Sequence, residues 1–345
     1  MLIREATKED NVALLALTRT CPMDGIIGLL IDRQPDFFSL LHLKGRHKVL
    51  VAEVDNQVVG CFALVLKQAY INEAEEQTGY LCDLKIAPAY RNMLVAYRLL
   101  RAMYQYMRTL PIDFYLCVTA KGNNLVETLV AGRAGIPAPF KAADFNVYQF
   151  LPLRKYKKSP YAVVPYEQQH EAQVLEILNT YYRSYQFASV FDATDNVAGD
   201  KAWLIYEQEQ LVAFLSVADM DQHKQNVVLR IPVYLKALLS VIRVFWPYIR
   251  TTREKEPLKM LYVKYLAFTP QHTKQALALL QQARHDAYVT GYSFLSYGID
   301  SRNSLATQLS RVPNIAFKSK AYVFDLRSSG RWPAGSVCHD NFYKV

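Results

Sequence analysis

The sequence predicts an α/β fold with a mixed sheet, built from one supersecondary plan used twice. Two observations carry this. Residues 79–107 read as strand, tight turn and long helix: Tyr80 to Ile86 is an apolar run interrupted by Asp83 and Lys85, Pro88 ends it, and Val95, Leu99, Met103 and Met107 recur at helical spacing. The surroundings of that stretch then recur, decayed, in the second half of the 345 residues.

In chain order, Leu2 to Ala6 reads as a strand. Thr7, with Asp10 three residues on, caps a helix to about Thr18. Residues 20–40, with Cys21-Pro22 and Gln34-Pro35-Asp36, read as irregular or short helical structure. Lys48–Glu53 and Val58–Gln68 form a hairpin turned at Asp55-Asn56-Gln57, and Gly60 marks a bulge or a close approach. Residues 72–78 read as a polar, acidic connection. Past the central stretch come a strand Phe114–Ala120, a short helix Asn124–Arg133 ended by glycines, and a strand Phe145–Pro152.

The second half follows the same order. Residues 202–217 parallel 49–64, with Gln210 on Gln57 and Ala213 on Gly60. Residues 263–273 parallel 81–91, with Pro270 on Pro88 and Tyr265 on Asp83. The second offset is larger, which places an insertion at about 220–257. The expected layout is a first domain over 1–152, a basic linker at 153–159, a second domain over 160–327 and a tail over 328–345 that wraps onto a domain. Within the insertion, Val233–Ile249 is apolar but carries Lys236 and Arg243 and stops at Pro247. It is too short and too polar for a membrane span, and reads as a helix packed between domains or at a homodimer interface.

The residues Asp83, Leu84, Ile86, Pro88 and Arg91, followed by Asn92, Met93, Leu94, Val95 and Ala96, resemble the acyl-CoA-binding strand–loop–helix of the GNAT acetyltransferase family. The lead-in and the outer loop positions match, and Leu94 stands where the family has glycine. The resemblance extends to the element order over the first 150 or so residues. It implies two tandem GNAT-like domains and transfer of an acetyl group from acetyl-CoA to an amine on a small molecule or protein.

By that resemblance, backbone groups of Leu84, Lys85 and Ile86 hold the pantetheine and polarise the thioester. Arg91 and the N–H groups of Asn92 to Ala96 hold the pyrophosphate, and Asn124 contacts the pantetheine arm or caps its helix. Asp83 is the candidate base, because a carboxylate in an apolar strand is costly unless used or paired. The family's thiolate-protonating tyrosine position is occupied by Ala131; Tyr115, Tyr148 or a water remain as substitutes. In the second copy Thr273, Ala276 and Tyr265 replace Arg91, Leu94 and Asp83, so that copy is expected not to bind CoA. A non-catalytic acyl-CoA-binding or partner-binding protein is the alternative, and a Fem-like aminoacyl ligase a third reading resting on the basic cluster Arg154–Lys158.

Composition limits the remaining classes. The net charge of +9 is thinly spread apart from that cluster, so no nucleic-acid face is expected. Five scattered cysteines without a CxxC pair point to reduced thiols and against zinc. Residues 1–30 lack the basic start and apolar run of an export signal, so a cytoplasmic protein without a membrane span is expected.

Overall fold

The computed structural model describes residues 1–23, 28–91, 94–122, 136–155, 159–233, 254–333 and 335–344. The first half contributes strands β1 (Leu2–Glu5), β2 (Gly28–Asp32), β3 (Arg46–Val54), β4 (Gln57–Ile71), β5 (Ala74–Ile86), β6 (Phe114–Ala120) and β7 (Phe140–Phe150). The second contributes β8 (Val163–Pro165), β9 (Lys201–Glu207), β10 (Gln210–Asp219), β11 (Gln225–Arg230), β12 (Pro257–Leu258), β13 (Met260–Phe268), β14 (Phe294–Asp300) and β15 (Asn314–Asp325). The longer helices are α1 (Asn11–Arg19) and α3 (Val95–Met107) in the first half, flanking the short α2 (Ser39–Lys44), and Glu171–Tyr182 and Thr273–Thr290 in the second. No helix of the described residues is long and apolar enough to cross a membrane.

Twelve strands form one mixed sheet in the order β1-β3-β4-β5-β6-β15-β7-β14-β13-β10-β9-β8. The order is nearly symmetric about its centre, as a repeat requires, but the two closing strands are exchanged. β15, from the end of the chain, pairs with β6 (Phe324 opposite Tyr115), and β7 pairs with β14 (Tyr148 opposite Tyr297). Each half is therefore completed by a strand of the other, and the apolar cores run across the junction.

Several elements differ from the sequence reading. Residues 72–78 are not a connection. Asn72 and Glu73, both at positive φ, form a tight turn, and β4 and β5 continue the ladder to Ile71 opposite Ala74. The acidic residues there sit on an exposed hairpin end, where polarity does not oppose a strand. Within 20–40, β2 pairs with β11 of the insertion (Leu30 opposite Val227), so this segment is partly a strand whose partner lies far off in sequence. The expected short helix Asn124–Arg133 and most of Val233–Ile249 lie outside the described residues.

Other expectations are met. Thr7 N–H donates to Asp10 Oδ2 at 2.8 Å, closing the cap before α1. α3 buries Val95, Leu99, Met103 and Met107 against β3, β4 and β5. Gly60 marks both a register shift and a close approach, since a Cβ there would stand 3.0 to 3.1 Å from Ile86, Val95 and Leu99. A side chain there would force these three to shift.

Candidate active site

The site is set by an irregularity in β5. Cys61 pairs with Lys85 and Ala63 with Cys82, so Asp83 and Leu84 together oppose the single residue Phe62. Asp83 takes the left-handed conformation, φ 53°, which aspartate tolerates better than most residues. β5 and β6 are parallel neighbours only from Gly79–Leu81 and Tyr115–Cys117; beyond these they part. The bulge and the parting leave a cleft along residues 82–86, next to the turn that enters α3.

The Asp83 carboxylate is ion-paired on both sides. Arg33 Nη1 donates to one oxygen and Lys85 Nζ to the other at 2.5 Å. Burial alone would raise this carboxyl, but the charges of Arg33, Lys85 and Lys44 outweigh it and hold it far below the ordinary carboxylate range. Such a group takes a proton from an ammonium poorly. Arg33 is 2% exposed and lies 4.4 Å from the Phe37 ring; its Nε and Nη2 have no hydrogen-bond partner.

The other expected residues are placed as follows. Lys85 is committed to Asp83, and Ile86 is buried. Arg91 is exposed and its Nε donates to Ile86 O at 3.4 Å, folding the turn back onto the strand. Leu94 precedes α3 at φ −70° and ψ 19° and is 65% exposed, so it turns outward rather than into the core. Val95 is buried and Ala96 half-buried. Asn92, Met93 and Asn124 lie outside the described residues.

Neither tyrosine considered as a thiolate donor is available. Tyr115 OH donates to Met107 O at 3.0 Å and Tyr148 OH to Ala306 O at 3.2 Å, both buried. Cys82 and Cys117 flank the point where the strands part, but burial pushes their thiols up to about 11 and about 12, which makes them poor nucleophiles.

A cavity of about 330 Å³ opens between the two halves, with Tyr80 of β5 on its wall. Its walls include Lys44 of α2, Lys67 of β4, Tyr80 of β5, and Asp340 and Lys344 near the end of the chain. Tyr80 OH donates to Asp340 Oδ2 at 3.2 Å. Burial pushes the Asp340 carboxyl up, against the pull of Lys67, Lys44 and the Tyr80 hydrogen bond. The sequence reading missed all of these residues. Each is ordinary in its local context, and only the apolar setting of Tyr80 within β5 carried a signal.

The corresponding cleft of the second half is filled. β13 and β14 are parallel from Met260–Tyr262 and Phe294–Ser296 and then part in the same way. The end of the chain lies there: Phe342 stacks directly on Gly298, and Tyr343 OH meets Tyr265 OH at 2.9 Å. At the start of the helix Thr273–Thr290, the Glu207 carboxylate accepts from Gln275 and contacts His272 at 3.2 Å. A carboxylate thus stands among the side chains of this helix entry.

Residues 16–127 match the model of the acetyltransferase (GNAT) family. Among solved structures, the Saccharomyces cerevisiae N-myristoyltransferase with bound myristoyl-CoA is similar at a TM-score of 0.64 and 12% identity, over 95% of this chain and 84% of that one. A GCN5-related N-acetyltransferase from Anabaena variabilis is similar at 0.55 and 10% identity, over 94% and 73%. No curated protein sequence matches the chain. The family match is thus confined to residues 16–127, while the fold is shared with these solved structures over nearly the whole chain. The reaction class that the match over residues 16–127 supports is acyl transfer from an acyl-CoA to an amine.

Proposed function

We propose that the protein is an acetyltransferase that moves the acetyl group of acetyl-CoA onto an amine acceptor, using the first-half cleft. The observation that carries the reading is the bulge at Asp83 and Leu84 beside strands that part, with the α3 entry turn at one end. In this reading the backbone of Leu84, Lys85 and Ile86 meets the pantetheine amides and the thioester carbonyl, Asn124 meets the pantetheine arm, and Arg91 with the N–H groups of Asn92 to Ala96 holds the pyrophosphate. The amine nitrogen attacks the carbonyl carbon, its proton leaves, and the C–S bond breaks to release a thiolate that a water protonates.

We assign Asp83 to orienting Arg33 and Lys85, and give the proton to Asp340, whose buried setting makes it the more basic carboxylate. The second half is read as a scaffold that does not bind CoA. The domain layout at 1–152 and 160–327 is kept as part of this proposal, with the closing strands exchanged.

The test is a thermal shift combined with an amine panel. Acetyl-CoA should raise the melting temperature, and Arg91→Glu should abolish the rise. Asp340→Asn should keep the rise and lower turnover about 100-fold or more. No shift at millimolar acetyl-CoA would overturn the proposal. A larger shift with a long-chain acyl-CoA would replace acetyl by that acyl group. The commitment of Tyr115 and Tyr148 to structural hydrogen bonds favours one other reading, a protein that binds acyl-CoA without turnover; bound acetyl-CoA that survives every amine would establish it.

A further inference from the structure

Three lysines and three aspartates line the central cavity, but among the described residues no lysine of the lining forms an ion pair with one of these aspartates. Lys44 Nζ and Lys67 Nζ both lie over the Tyr80 ring, at 5.1 and 5.6 Å from its centroid. Lys67 donates only to Phe187 O at 3.3 Å, and Lys344 donates to Leu43 O at 2.5 Å. None of the three ammonium groups has a carboxylate within ion-pair distance among the described residues. The acids on the cavity wall are otherwise engaged: Asp340 accepts from Tyr80, while Asp192 and Asp195 accept from backbone N–H groups within their own rim turn.

Such an arrangement is costly as it stands. Burial lowers Lys67, with Asp340 opposing and Lys44 adding to the effect. Burial, Lys67, Lys264 and Lys44 together bring Lys344 down to about 8, with Asp195 opposing. Three ammonium groups without ion-pair partners around one cavity are relieved by a bound anion, which accepts their hydrogen bonds.

The cavity and the cleft share β5. Tyr80 lies four residues before Leu84, about 13 Å along the strand. Lys44 is near enough to Asp83 for its charge to act on that carboxylate.

We propose that the cavity is an acceptor site for a small primary amine that also bears an anionic group, with the anion held by Lys44, Lys67 and Lys344 and the ammonium facing Asp340. This rests on the acyltransferase reading for its purpose, but the binding itself needs no CoA. A carboxylate, as in an amino acid or short peptide, and a phosphate share the chemistry.

The experiment is calorimetric titration of the CoA-free protein with glycylglycine, its C-terminal amide, and phosphoethanolamine. The wild type should bind glycylglycine or phosphoethanolamine at least about ten-fold more tightly than the amide, and the tighter of the two names the anion. Lys67→Met should erase that preference while the thermal shift with acetyl-CoA persists. Lys44→Met, at a half-buried position, repeats the test should the first variant fold poorly. Equal binding of the dipeptide and its amide by the wild type, or a preference that survives both variants, would overturn the proposal. A retained anion preference without any acetyl-CoA shift would instead overturn the acyltransferase reading and leave the anion site standing.

Discussion

The two clefts of this protein share a scaffold and differ in what fills them. In each, a parallel strand pair parts after three residues beside a helix entry. In the first half the strand carries Asp83 between Arg33 and Lys85, and the helix entry carries Arg91. In the second half Tyr265 stands at the Asp83 position, bonded to Tyr343, Phe342 covers Gly298, and Glu207 occupies the helix entry. A cleft that holds its own chain terminus has no need of charge. A cleft left open keeps buried charges paired with one another. The parting of the strands is a property of the fold; whether it becomes a site depends on what the rest of the chain leaves uncovered.

The comparison can be broken most forcefully at its matched pair of strand residues. Asp83→Ala strands Arg33 and Lys85 as buried cations and should cost about 3–5 kcal/mol in denaturant unfolding. Tyr265→Phe removes one hydroxyl pair and should cost about 1 kcal/mol. Similar losses at the two positions would mean that the charges of the first cleft are not buried as described.

The terminal plug can be challenged next. A Cβ at Gly298 would fall 2.2 Å from the Phe342 ring. Gly298→Val, which places at this position the residue found at Val118 in the first half, should cost about 3 kcal/mol and expose the last residues to carboxypeptidase. An unchanged digestion rate would show that the tail is not seated there.

A smaller effect concerns acid. His339, buried beside Tyr182 at a ring distance of 4.5 Å, is pushed down to about 3 by burial and by Lys67. It is neutral when folded and titrates at its ordinary value when unfolded. The stability it preserves is therefore complete above about pH 6.5 and is lost as pH falls toward 3, amounting to about 2 kcal/mol at pH 5. His339→Phe should flatten the decline in melting temperature between pH 7 and 5 relative to the wild type.

Much of the framework was legible in the sequence. Phe114–Ala120 matches the observed strand residue for residue, and the hairpin at Asp55-Asn56 was declared by residues that tolerate positive φ. These elements depend on local alternation and turn chemistry, which a sequence displays directly. The bulge was visible only as an aspartate out of place in an apolar run. The cavity was invisible, because Lys44, Lys67, Tyr80 and Asp340 are drawn from four segments, and no spacing rule links residues that meet only after folding.

By itself, then, the sequence determined the repeated plan, the mixed sheet, and the strand–turn–helix on which the proposed site depends, since each follows from periodicities of about two and 3.6 residues. Tertiary structure decided which strand closes which half, because β7 and β15 carry the same kind of pattern and only the packing of the two halves selects between the pairings. It also decided which of two similar clefts stays open, because that turns on where the last few residues come to rest.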